Sequence, residues 1–150
     1  LMTYEWGYTY GPAMAVAPWN MVRRVLDYAI TEMPPEKILM GFPNYGYDWT
    51  LPYMQGSTAA ENIGNQDAVR RAGTQGAEIQ FDSTAQSPFF FYTRDGLRHV
   101  VWFEDVRSIR AKLALADEFN LQGVFYWNVM RPFRQNWALI AAAYQVRKPI

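Results

Sequence analysis

Two short runs of uninterrupted apolar residues, Ile38 to Phe42 (ILMGF) and Gly123 to Trp127 (GVFYW), constrain the fold of this chain more than any other feature. Each is short for a helix and lacks the polar alternation of a half-exposed strand. Each therefore reads as a strand buried on both faces, as in a parallel sheet. Helical patterns flank them. From Pro18, a favourable first helical residue, Met21, Val22, Val25, Leu26, Ala29 and Ile30 share one face up to Pro34-Pro35. Asp105 is placed to cap a second helix with Val106, Ile109, Leu113, Ala116 and Phe119 on its apolar face, and a last helix is expected from about Asn136 to Val146. Leu1 to Trp6, rich in β-favouring residues and ending at Gly7, predicts one more short strand.

Between Asn44 and His99 the elements become shorter. A polar helix is expected near Asn65 to Ala72 and a strand around Glu78 to Phe81, and Phe89 to Thr93 joins His99 to Phe103 through Arg94-Asp95-Gly96, a hairpin signal. The order is β-α-β, an inserted α+β lobe, then α-β-α: three βα units of an α/β architecture, divided as 1–47, 48–103 and 104–150. Three parallel strands cannot close a barrel, and their outer edges stay unpaired. The expectation is the last three units of a TIM (β/α)8 barrel, a piece of a longer protein, since the chain opens within a strand pattern and without a methionine. Its open edges then call for the missing N-terminal barrel half or for a second copy.

Composition narrows the partners. Of the 150 residues, 14 are Lys or Arg and 14 are Asp or Glu, so no basic excess favours nucleic acid. Cysteine is absent, which removes disulfides, thiolate metal sites and thiol nucleophiles. No apolar run nears the ~20 residues of a membrane span, and LMTYEWGY is not a signal peptide. What stands out is 17% aromatic residues, more than a core of this size needs. Four of the rings lie in Gly41 to Trp49 (GFPNYGYDW), directly behind a buried strand, which points to a surface made to be covered, and flat rings suit sugar faces.

The three strand ends resemble glycoside hydrolase family 18, the chitinase and peptidoglycan-hydrolase family. Met2-Thr3-Tyr4-Glu5 is similar to that family's sixth strand, Met-x-Tyr-Asp; Gly41-Phe42-Pro43-Asn44-Tyr45-Gly46 to its seventh; and Gly123-Val124-Phe125-Tyr126-Trp127 to its eighth. MTYEWGYTYGP followed by NYGYDWTLPY especially resembles the spore cortex and germination branch. The resemblance implies hydrolysis of N-acetylglucosamine polymers outside the cell, in cell wall or spore cortex, without cofactor or metal. In this mechanism the sugar's own acetamide oxygen attacks the anomeric carbon. It also implies a fourth-strand motif, Asp-Gly-x-x-x-Asp-x-Asp-x-Glu, whose Glu is the general acid. No such run occurs here; Glu104-Asp105 and Asp117-Glu118 lack its spacing.

By the same resemblance, Tyr4 and Glu5 belong to the reaction: Tyr4 donates to the acetamide oxygen, and Glu5, where the family usually has Asp, places a carboxylate near the sugar. Met2, Tyr45 and Trp127 belong to substrate binding, Trp127 as the ring under the sugar and Tyr45 reaching its hydroxyls. Tyr47 stands where chitinases often carry Arg. Asp48, Trp49 and Tyr53 either wall the sugar site or pack the base of the insertion. Phe89-Phe90-Phe91, Trp102 and the lone His99 read as structural. A non-catalytic sugar-binding module of the same fold is the rival reading.

Overall fold

The computed structural model describes residues 1–145 and shows a mixed α/β fold with two sheets. The smaller pairs β1 (Leu39–Pro43) with β7 (Gly123–Trp127) in parallel, in the register Leu39 to Gly123 through Pro43 to Trp127, so the carboxyl ends of both apolar runs lie side by side. Helix α1 (Trp19–Glu32) and helix α3 (Val106–Glu118) pack against it. Val22, Leu26 and Ala29 of α1 meet Ile38, Met40 and Phe42 of the strand segment and Ile109, Leu113 and Ala116 of α3 in one core. The stripe recurs every three to four residues, the period that keeps one helical face toward a sheet. Pro18 is the cap of α1 rather than its first residue. Asp105 caps α3 in a closed box, accepting from the backbone amides of Arg107 (2.8 Å) and Ser108 (3.1 Å) while Ser108 Oγ accepts from the Asp105 amide (2.9 Å). The last helix, α4, covers Arg134–Ala143; Val146, the expected end, lies outside the described residues.

The larger sheet is antiparallel, with β2 (Gly46–Leu51), β3 (Glu61–Ile63), β4 (Gln80–Asp82), β5 (Ser87–Arg94) and β6 (Leu97–Trp102) in the order β3-β2-β6-β5-β4. Helix α2 (Asn65–Gln75) covers one face, where Phe90, Tyr92 and Val101 pack with Ala68 and Ala72. Val16, Tyr45, Tyr47, Trp49 and Val100, with Phe89, Phe91 and Trp102, fill the other. The β5–β6 turn holds Asp95 at φ 53° and Gly96 at φ 76°, the two positive angles that the Asp-Gly signal anticipates. No helix among the described residues is long and apolar enough to cross a membrane.

Two expectations need correction. Leu1 to Trp6 forms no regular strand. It lies beside β1, with the Gly41 amide donating to the Leu1 carbonyl (2.9 Å) and Thr3 Oγ1 donating to the Gly41 carbonyl (2.7 Å). Glu5 then takes φ 70°, which breaks the extended backbone before a ladder can form. Nor is GFPNYGYDW a ring surface left open. Tyr47 and Trp49 share one face of β2, Tyr45 directly precedes it, and all three rings pack in the core on that side of the larger sheet.

Candidate active site

Three separate segments, joined by Asn62 of β3, meet in a cleft of about 310 Å³, lined by Tyr4, Glu5, Tyr45, Tyr47, Asn62, Trp127, Asn128 and Arg131. Trp127, at the end of β7, is 56% exposed, a large indole face turned toward solvent. Its neighbourhood is fixed through Asn44. The Asn44 amide donates to the Trp127 carbonyl (2.8 Å), and its Nδ2 donates to the carbonyls of Asn128 (2.7 Å) and Arg131 (2.9 Å). One side chain at the end of β1 thus clamps the turn that follows β7. Tyr4 reaches the cleft over Gly41. A Cβ there would stand 2.7 Å from the Tyr4 ring, 2.7 Å from Phe125 and 2.9 Å from the Leu1 carbonyl, so only glycine admits this approach.

Glu5 Oε1 accepts from two phenols, Tyr45 Oη and Tyr47 Oη, the latter at 3.0 Å. Oε2 has no hydrogen-bond partner among the described residues and is left for a ligand N–H or O–H. Burial, followed by the hydrogen bond and charge of Glu5, pushes the Tyr45 phenol far above its ordinary range. Burial is also the first cause for Tyr47 and Tyr4, each raised further by Glu5. All three therefore keep their protons at neutral pH and act as donors. Tyr4 Oη has no protein partner among the described residues, so its proton is available to an acceptor in the cleft.

Of the residues singled out from sequence, Tyr4, Glu5, Tyr45 and Trp127 come together. Met2 does not line the cleft and is 77% exposed. Asp48, at 3% exposure, faces the α2 side of the larger sheet, where it accepts from Tyr92 Oη (2.5 Å), meets His99 Nδ1 (2.9 Å) and pairs with Arg71. Trp49 is fully buried and donates from Nε1 to the Gly11 carbonyl (2.9 Å), and Tyr53 Oη donates to the Tyr10 carbonyl (2.9 Å). Structural packing thus takes three residues for which a wall role stood open. His99 is buried, stacked on Tyr92, and has a carboxylate partner 51 positions away. Sequence reasoning missed the cleft roles of Tyr47, Asn62 and Arg131. The Tyr45-Tyr47-Trp49 alternation could have revealed β2, and with it Tyr47 beside Asn62 across the β2–β3 pair. Glu5 is the only carboxyl in the cleft lining, and among the described residues no three His, Cys, Asp or Glu gather to hold a metal ion.

The chain is similar to several known proteins. The chain is 53% identical to the cortical fragment-lytic enzyme of Bacillus subtilis over 99% of its own length and 35% of the relative's. It also superimposes on the crystal structure of the Bacillus cereus spore cortex-lytic enzyme SleL with a TM-score of 0.94 and 44% identity, covering 99% of this chain and 35% of that one. A chitinase structure from Chromobacterium violaceum matches at TM-score 0.85 and 29% identity, over 96% and 45% of the two chains. The chain spans about a third of the length of the curated relatives it matches. The model of the family described as "Glycosyl hydrolases family 18" matches residues 1–131, and the chain belongs to that family.

Proposed function

We propose that this chain is the carboxyl-terminal part of a family 18 glycosidase barrel that hydrolyses N-acetylglucosamine-containing polymers of the spore cortex or cell wall, outside the cell. Residues 1–47 and 104–150 supply its last three βα units, and 48–103 form the insertion. The names of the most similar relatives support the substrate class. The observation that carries the reading is the convergence of Tyr4 with Glu5, Tyr45 and Trp127 from three segments on one cleft.

The chemistry follows from these groups. A pyranose ring stacks its C–H face on the exposed indole of Trp127. Its acetamide oxygen, which attacks the anomeric carbon, accepts a hydrogen bond from Tyr4 Oη, while its N–H faces the unoccupied Oε2 of Glu5. As the nitrogen takes up positive charge in the cyclised intermediate, a fixed carboxylate stabilises it. Tyr45 and Tyr47 hold that carboxylate in place from the protein side. Protonation of the leaving oxygen needs a second carboxyl, which in this proposal comes from a Glu outside these residues.

The isolated 150 residues should accordingly be inactive on muropeptides and chitooligosaccharides, whereas the full-length protein should cleave them. Turnover by the isolated chain at the full-length rate would refute the division of labour. Binding without turnover by the full-length protein would favour the sugar-binding module instead.

A further inference from the structure

Beside the Trp127 cleft lies a second, open groove of about 500 Å³, bounded by β3 and α2, and the two share Asn62 and Arg131. Nearly every charge along this groove is neutralised locally. Arg70 pairs with Asp67 at 2.8 Å, and Arg71 meets Glu61 with both terminal nitrogens (2.8 and 2.9 Å) and also bonds Asp48. Arg131 is the exception. Its guanidinium makes no ion pair or hydrogen bond among the described residues, and its Nη1 is buried without a partner. A buried N–H of a charged group left unpaired is costly. The residue is nonetheless held, because its carbonyl is clamped by Asn44 and its stem lies beside Gly64.

Resting on the proposed glycosidase reading, we infer that Arg131 is a specificity residue that receives a carboxylate of an acidic N-acetylated glycan, selecting muramic acid-containing chains over neutral ones. With Nη1 enclosed, the planar guanidinium still offers its unpaired Nε and Nη2, which match a carboxylate in fork geometry. A sugar on Trp127 can direct a substituent past Asn62 to Arg131 and into the groove. Glu5, in the same lining, repels the same charge and disfavours placing it on that carboxylate. The carboxylate comes either from the lactyl ether of muramic acid or from a peptide attached to it.

Isothermal titration calorimetry of the full-length protein with sulfur-linked, hydrolysis-resistant disaccharides tests this. Three ligands are compared: neutral N,N′-diacetylchitobiose, N-acetylglucosaminyl-N-acetylmuramic acid with a free lactyl carboxylate, and the same disaccharide carrying an L-Ala-D-Glu dipeptide. At least one acidic ligand should bind about tenfold tighter than the neutral one, the scale of a charge-assisted pair, and which one does so names the source. Arg131→Gln should abolish the preference and Arg131→Lys should retain part of it. Independently of any variant, a lactyl carboxamide ligand should lose the advantage of the free acid if that is the source. Equal affinity for acidic and neutral ligands, or a preference that survives Arg131→Gln, overturns the inference and leaves the glycosidase reading standing. Failure of all three ligands to bind overturns both.

Discussion

At the scale of single residues, the site is a set of phenols whose protons are held. Tyr4 is the donor free to act on the attacking oxygen, so Tyr4→Phe in the full-length protein should lower kcat by roughly 100-fold, the scale of misplacing a reacting group, with a small change in KM. A large rise in KM at unchanged kcat would instead make Tyr4 a ground-state contact. Away from the cleft, burial first and the bond to Asp48 second push the Tyr92 phenol up to about 12, and burial pushes Tyr126 to about 12, against 10.0 for an ordinary phenol. A folded-state value above the unfolded one stabilises below the unfolded value, and this contribution is lost as pH rises through the folded value. Thermal melts should therefore show the midpoint gap between wild type and a Tyr92→Phe/Tyr126→Phe variant changing against the wild type from about pH 10 to 12, and a constant gap would contradict it. From sequence, Tyr4, Glu5, Tyr45 and Trp127 were legible only through the resemblance. The partners of Glu5 and of Asp48 lie 23 to 51 positions away, and no local pattern announces such pairs.

At the scale of elements, what could be read was what is local. The GVFYW run, the Asp105 cap and the Asp95-Gly96 turn each carry their own physical reason within a few residues, and each stands where expected. β2 was hidden because it follows β1 after only Asn44-Tyr45, and its identity depends on a pairing with β6 about a third of the chain away. A buried ion pair within the α3 region is tied to α2 in the same non-local manner. Lys112 Nζ lies 2.9 and 3.2 Å from the Glu104 carboxylate oxygens, both side chains are almost wholly enclosed, and the Glu104 amide donates to Asn65 of α2 (2.9 Å). Burial raises the Glu104 pKa despite Lys112. Lys112→Met should cost about 3–5 kcal/mol in urea unfolding at pH 7, because it strands a buried carboxylate, and adding Glu104→Gln should recover much of the loss. A Lys112→Met cost below 1 kcal/mol would mean that the pair contributes nothing.

At the scale of the molecule, the parallel sheet has only two strands, although parallel sheets ordinarily occur buried within larger sheets. Leu39, Trp127, Val129 and Met130 are exposed around it. Light scattering of the isolated chain should therefore show association, and adding the upstream part of the polypeptide should suppress it. A stable monomer over the micromolar range would show that these edges need no cover. The central claim is that three segments build one acetamido-sugar site completed from outside. A crystal structure of the full-length protein with a thiazoline analogue of the cyclised N-acetylglucosamine intermediate tests it most directly. The ring should lie on Trp127, with its acetamide-derived atoms between Tyr4 Oη and Glu5 Oε2. A ligand bound elsewhere, with these three side chains untouched, would contradict the claim.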